Sequence, residues 1–126
     1  MNPIGDEMRM PDGTPLPFSA GIESNGLVFL SGQLALRGGA LPPGGIGEQT
    51  HAVFDNIEHL LGLAGLDLGA VVKVTAWLEN KADFAGFNAV YASRFSAPYP
   101  ARSTVVSSLL LPGALVEIEV VARRGK

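Results

Sequence analysis

Two stretches with a period of two in their apolar residues constrain the fold of this 126-residue chain more than any other feature. In Val72–Glu79 every second residue is apolar, and Leu115–Ala122 repeats the pattern around Glu117 and Glu119. A period of two is typical of a strand whose side chains alternate between a buried face and a second face. The chain therefore contains at least two long strands of a sheet that needs a covering layer.

Two segments with helical periodicity supply that layer. Apolar residues recur at helical spacing over Val53–Ala64, and Gly65 provides a stop signal. A second helix follows Asn80, a candidate cap, and its predicted stripe comprises Phe84, Phe87, Asn88, Tyr91 and Phe95. An amide on such a stripe needs hydrogen-bond partners, so Asn88 is either a structural residue that holds neighbouring elements together or a site residue.

The remaining strands complete a mixed sheet. They are predicted at Phe18–Ile22, Leu27–Leu30 and Ser103–Leu110, beside Leu115–Ala122, with a short additional strand at Gln33–Arg37. A tight turn at 111–114 should join the last two. The fold class is therefore α/β (α+β), a mixed sheet packed against two helices. We predict one domain over residues 1–126, with residues 1–14 as an extended N-terminal segment.

Composition narrows the class of protein further. Only 17% of the residues are charged, below the roughly 25% of an average soluble domain, which suggests apolar surface hidden by self-association. The net charge of −3 argues against a nucleic-acid binder, and no apolar run approaches a membrane span. The absence of cysteine and of a signal-like start leads us to expect a cytoplasmic protein. No His/Asp/Glu cluster suggests a metal.

The sharpest chemical signal is an isolated arginine. Between Phe95 and Val116 the only charged side chain is Arg102. A guanidinium stays ionised and is costly to desolvate without an anion. It either forms an ion pair with Glu117 or Glu119, or binds the carboxylate or phosphate of a ligand. The two glutamates are either a solvated sheet edge or carboxylates that hold a water in a cleft.

These features occur together, in order, in one known family. The chain resembles the RidA/YjgF family of enamine/imine deaminases from about Pro17 to Ala122. The matching motifs are Pro17–Gly21, Leu30–Gln33, Gln49–Thr50, Asn56–Ile57, Ala64–Gly65, Val71–Lys73, Asp83–Ala85 with Asn88 and Tyr91, Pro100–Ser103, Leu111–Pro112 and Val116–Glu119.

The resemblance implies a chorismate-mutase-like fold assembled as a barrel-like homotrimer, with ligand clefts between subunits. It implies hydrolytic deamination of small carboxylate-bearing 2-enamine or 2-imino acids, such as 2-aminoacrylate and 2-iminopropanoate, to 2-keto acids and ammonia. Neither a metal nor an organic cofactor is implied.

The resemblance also assigns roles to residues. The arginine matching Arg102 holds the substrate carboxylate, and the glutamate matching Glu117 positions the hydrolytic water. The remaining cleft residues by this resemblance are Phe18, Ser31, Gly32, Asn88 and Thr104. Many deaminating members have tyrosine at Phe18 and cysteine at Thr104. Two alternatives therefore remain: a larger substrate such as an aminomuconate, or a trimer that binds a metabolite without turning it over.

Overall fold

Six strands and two helices are formed in the computed structural model, which describes residues 1–125. Their bounds are β1 Asn2–Ile4, β2 Gly21–Ser24, β3 Leu27–Leu30, α1 Ile46–Leu63, β4 Val71–Leu78, α2 Phe84–Arg94, β5 Ala101–Val106 and β6 Val116–Arg123. The strands form one sheet in the order β1-β2-β3-β6-β4-β5, in which only β4 and β5 pair in parallel. The predicted mixed sheet with two helices is confirmed.

The two alternating strands lie side by side at the centre of the sheet. Val74 of β4 is opposite Val120 of β6, and both side chains are fully buried beneath the helices. Phe54 and Ile57 of α1 fill the space above this face. Because directly opposed residues point to the same side of a sheet, this register defines a helix-covered face and an open face.

Val72 does not lie on the buried face that the alternation predicts for it. The pairing of β4 with β6 slips between Val71 and Lys73, which is a β-bulge. Val71 therefore takes the buried position, and the side chain of Val72 is 43% exposed. An inserted residue of this kind leaves no mark in an apolar–polar pattern that continues beyond it.

The closing strands are connected differently from the prediction. They do not form a hairpin, because β4 lies between β5 and β6 and α2 carries the chain across to a parallel β5. Strand β5 also ends at Val106 rather than at Leu110. The predicted strand at Gln33–Arg37 is reduced to isolated bridges, of which one joins Gln33 to Ile118.

The turn before β6 is instead held by a buried amide of α1. The side chain of Gln49 donates from Nε2 to the Gly113 carbonyl at 2.9 Å, and its Oε1 accepts from the Leu115 amide at 2.8 Å. These two bonds connect the turn to the first helix and set where β6 begins.

Neither helix covers the second face of the sheet. The apolar side chains of Leu27, Phe29 and Val105 are 37%, 43% and 48% exposed there. Within residues 1–125, no helix has both the length and the apolar character needed to cross a bilayer.

Candidate functional site

Arg102 lies on the edge strand β5 and points toward α2. Its register partner is Val74, whose side chain is buried on the helix-covered face. The guanidinium is half-buried there, and its Nη1 donates to Oδ1 of Asn88 at 2.8 Å. Asn88 is thus a neutral partner that fixes one edge of the arginine.

Aromatic rings of α2 also contact the same guanidinium. The Arg102 Cζ atom lies 4.6 Å from the ring centroid of Tyr91 and 5.4 Å from that of Phe87. The Tyr91 ring packs at 4.8 Å against Phe95 and at 5.8 Å, edge to face, against Phe54. A cation over an aromatic face is attracted by the ring quadrupole, so the cluster holds Arg102 as well as filling the core.

A shallow cavity of about 310 Å³ opens beside this arginine. It is lined by Asn88, Tyr91, Ala92, Tyr99, Pro100 and Arg102, and we call it the Arg102 cavity. Within residues 1–125 no carboxylate lies within 4 Å of the guanidinium. The predicted alternative of an ion pair with Glu117 or Glu119 is therefore wrong within the described chain.

Two hydroxyl groups around Arg102 lack partners. Thr104 is opposite Ala76 and so shares the helix-covered face with Arg102; its Oγ1 is buried without a hydrogen bond. The Tyr91 hydroxyl is also buried and unpartnered among the described residues. Burial raises the pKa of the Tyr91 phenol, and the nearby Arg102 charge opposes that rise in part. Tyr91 stays neutral and acts through its ring.

Glu117 lies on the other face of the sheet. Its register partner is Trp77 of β4, on the open face. The carboxylate lies against Gly32, where a side chain of any size would overlap it. Burial raises the pKa of Glu117 above its ordinary value, and the like charge of Glu119 raises that pKa further. The fold therefore places a carboxylate with a raised pKa at this point.

Phe18 and Ser31 belong to the Gly32 side of the molecule. Ser31 donates its hydroxyl to the Ser19 carbonyl at 2.6 Å, so that donor is already used in holding the loop. Phe18 is 51% exposed and, together with Gly32, lines a cavity of about 480 Å³, which we call the Gly32 cavity.

The seven predicted site residues therefore form two groups. The structure brings Arg102, Asn88 and Thr104 together on the helix-covered face, and it brings Glu117 to Gly32 on the open face. It does not bring Arg102 to Glu117. Among residues 1–125 no group of three metal-ligating side chains occurs.

The Tyr91 contact was not assigned from the sequence. Tyr91 was predicted on an apolar helical stripe and matched a family motif, but neither observation assigned it a role; the helical spacing does signal a shared face with Asn88. What the sequence lacked was the position of β5, since only the parallel β4–β5 pairing places Arg102 under that face.

Comparison with known proteins identifies the family of the chain. The family model for endoribonuclease L-PSP matches residues 13–124, and the chain belongs to this family, as its resemblance to RidA/YjgF proteins predicted. The chain is 36% identical over 111 residues to a 2-iminobutanoate/2-iminopropanoate deaminase of Bos taurus, covering 86% of this chain and 81% of that protein.

Two further relatives span most of this chain. A chloroplastic Reactive Intermediate Deaminase A of Arabidopsis thaliana is 42% identical over 108 residues, which cover 84% of this chain and 58% of the plant protein. The crystal structure of Escherichia coli TdcF with bound serine superimposes with a TM-score of 0.86 at 29% identity, covering 99% of this chain and 100% of that one.

We predict that the Tyr91 ring, and not its hydroxyl, immobilises Arg102. Tyr91→Leu should increase the motion of the Arg102 Nε–H group from near-rigid values to those of a flexible group, measured as an NMR order parameter. The same change should cost about 2 kcal/mol in the free energy of unfolding, because it leaves space among packed rings.

Tyr91→Phe is the matched control for this prediction. It keeps the stacking ring and removes an unpartnered hydroxyl, so the order parameter should stay unchanged and the stability should not fall. An Arg102 Nε–H group that stays rigid in Tyr91→Leu would contradict the role of the ring.

Proposed function

We propose that the chain is a homotrimeric deaminase that hydrolyses small 2-imino acids, and the 2-enamines that tautomerise to them, to 2-keto acids and ammonia. The observation that carries this proposal is the state of Arg102. Its guanidinium lines an open cavity, is held by a neutral amide and aromatic rings, and has no carboxylate within 4 Å among residues 1–125.

Arg102 would bind the substrate carboxylate. Asn88 accepts a hydrogen bond from Nη1. The N–H groups on the other side of the planar guanidinium remain for a carboxylate, which a guanidinium binds through two parallel hydrogen bonds. An ion pair at this point also withdraws electron density from the adjacent C2. That atom is already electrophilic in an imine, so placement and charge complementarity supply most of the catalysis.

Glu117 would hold the attacking water. It takes a proton as the water oxygen bonds to C2 of the protonated imine, and the C2–N double bond becomes a single bond to a neutral amine. The same group returns that proton to nitrogen and then accepts the hydroxyl proton as the C2–O bond becomes a carbonyl and ammonia leaves. A carboxyl with a raised pKa suits both halves of this exchange, because it is a stronger base when ionised.

The positions of these two residues support assembly into a homo-oligomer. Arg102 and Glu117 lie on opposite faces of one sheet, so a site that uses both needs Arg102 from one subunit and Glu117 from another. The open face, with exposed Leu27, Phe29 and Val105, is the apolar surface that a neighbouring subunit would cover. A closed ring of three copies repeats one such contact at every junction.

The names of the relatives support the same reaction. The cattle relative is named for the deamination of 2-iminobutanoate and 2-iminopropanoate, and the E. coli relative is a structure with bound serine, itself a small carboxylate. Other relatives are named as mitochondrial or chloroplastic proteins, while the sequence here leads us to propose a cytoplasmic enzyme.

The family description also names an endoribonuclease, and this chain offers less support for that activity. A net charge of −3 gives no general attraction for the phosphate backbone, and the Arg102 cavity contains one cation. Binding of a metabolite without turnover remains the alternative that an assay must separate.

The first prediction of this proposal concerns Arg102. With 2-aminoacrylate generated in situ by a serine dehydratase, the wild-type protein should accelerate its decay over buffer, as followed spectrophotometrically. Arg102→Ala should lower kcat/KM by about a hundredfold, because the charge that orients the carboxylate is lost.

Arg102→Lys is the matched control, since it keeps the charge and loses the planar fork; an intermediate rate is expected. Wild-type protein that does not exceed buffer would refute the deaminase proposal and leave the binding alternative. An Arg102→Ala rate equal to that of the wild type would remove Arg102 as the anchor.

The second prediction concerns pH. Since the ionised Glu117 is the base, activity should be lost as the pH falls through its pKa, and this acid limb should lie above the ordinary glutamate value of about 4.3. Glu119→Gln should move the acid limb of the pH profile of kcat/KM to lower pH, because it removes a like charge that raises the Glu117 pKa.

Glu58→Gln, an equal change of charge on α1, should leave that limb in place. A Glu119→Gln profile that superimposes on the wild-type profile would show that Glu117 does not govern the acid side.

A further inference from the structure

Arg94, the last residue of α2, is bound to α1 through its guanidinium. Its Nη2 lies 3.0 Å from Oδ1 of Asp55 and 3.1 Å from Oε1 of Glu58. Its Nη1 donates to the His51 carbonyl at 3.3 Å and lies 3.1 Å from Nδ1 of the same residue. His51, Asp55 and Glu58 follow one another at helical spacing on one face of α1. One side chain of α2 thus contacts two turns of α1.

The Arg94 guanidinium also begins a series of aromatic contacts that ends at Arg102. Its Cζ atom lies 5.6 Å from the ring centroid of Phe54. Phe54 is fully buried and packs edge to face on Tyr91, with 5.8 Å between the ring centroids. The Tyr91 centroid lies 4.6 Å from Cζ of Arg102. The two arginines are therefore linked through two packed rings.

The two arginines differ in their electrostatic surroundings. The side chain of Arg94 is only 15% exposed and contacts two carboxylates, whereas no carboxylate lies within 4 Å of Arg102 among residues 1–125. The charge of Arg94 is thus already balanced, and Arg102 is the cation that an anion can reach. Since other residues of α2 line the Arg102 cavity, Arg94 can affect a ligand there only through its neighbours.

Arg94 is placed to set the position of α2 on α1. The helix has 11 residues, of which Phe87 and Tyr91 are buried, so few packed side chains determine how it lies. Arg94 is about one turn from Tyr91 and less than two turns from Asn88 along the helix. Because a helix moves as a rigid element, a shift of its last turn displaces both residues that contact Arg102.

We propose that Arg94 is a positioning residue of the Arg102 site: by fixing α2 on α1, it keeps Asn88 and Tyr91 where they orient the Arg102 guanidinium for the substrate carboxylate. This inference rests on the proposed deaminase function. Ion pairs with carboxylates that are about half exposed add little to stability, while taking an arginine out of water is costly. The geometry that these contacts impose is therefore the better explanation for them.

The test replaces Arg94 by glutamine, which removes both the charge and the planar guanidinium. With 2-aminoacrylate as substrate, Arg94→Gln should lower kcat/KM by about tenfold, because a less well oriented Arg102 places the carboxylate less well. The NMR order parameter of the Arg102 Nε–H group should fall in the same variant. Arg94→Lys keeps a charge for the carboxylates of α1 and should give intermediate values in both measurements. Should Arg94→Gln fail to fold, Arg94→Lys is judged by the same two measurements.

Arg124→Gln is the matched control. Arg124 forms an ion pair with Glu23 and donates from Nη2 to the Ala64 carbonyl at 2.6 Å, and neither partner belongs to α2. The control therefore shows what the loss of an ion-paired arginine does to the fold alone. It should lower the thermal midpoint of unfolding, yet leave kcat/KM and the Arg102 order parameter at their wild-type values when measured well below that midpoint.

The outcomes separate the inference from the proposed function. If both Arg94 variants lose stability but keep the wild-type kcat/KM and a rigid Arg102, Arg94 is structural only, and the deaminase function stands without it. An Arg124→Gln variant that loses as much activity as Arg94→Gln would also overturn the inference, because a weakened fold would then explain both losses. Wild-type protein that does not accelerate the decay of 2-aminoacrylate would refute the deaminase function itself, and the inference with it.

Discussion

The contact between α2 and Arg102 is the interaction on which the candidate site depends. A guanidinium on an edge strand would ordinarily extend into solvent. Here Asn88 accepts a hydrogen bond from it at 2.8 Å, and its Cζ atom lies 4.6 Å from the centroid of the Tyr91 ring. Both residues come from one face of α2, and that face lies over β5 because a parallel β4–β5 pair requires a helical crossover. The topology of the sheet thus orients the cation.

The sheet also keeps Arg102 and Glu117 apart within one chain. Strands β4 and β6 carry buried residues toward the helices and polar residues such as Glu117 toward the open face. Arg102 and Glu117 are therefore divided by the thickness of the sheet within one chain. If both act on one substrate, the surface left apolar on the open face and the position of the glutamate have the same explanation, which is a neighbouring subunit.

Much of this arrangement could be predicted from the sequence, and the failures have physical causes. Alternation identified the central strands because half-buried strands have a period of two. The isolated charge of Arg102 identified it as a candidate site residue, because a lone cation in an apolar stretch needs a partner.

Features that depend on pairing between distant strands could not be predicted from the local residue pattern. The bulge at Val72 preserves alternation on either side of it, and the place of β5 beside β4 depends on pairing that no local residue encodes. The contact of Tyr91 with Arg102 was missed for the same reason, because a stripe of aromatic residues has the same spacing whether it packs against the hydrophobic core or against a cation.

The most direct test of the account mixes two variants of this chain. Arg102→Ala and Glu117→Ala subunits, each assembled alone, should have little activity. Exchanged at equal ratio within trimers, they should regain about a quarter of the wild-type activity, because about one junction in four then pairs an intact arginine with an intact glutamate. Mixed trimers that form, as seen by native mass spectrometry, yet stay inactive would contradict a site completed between subunits.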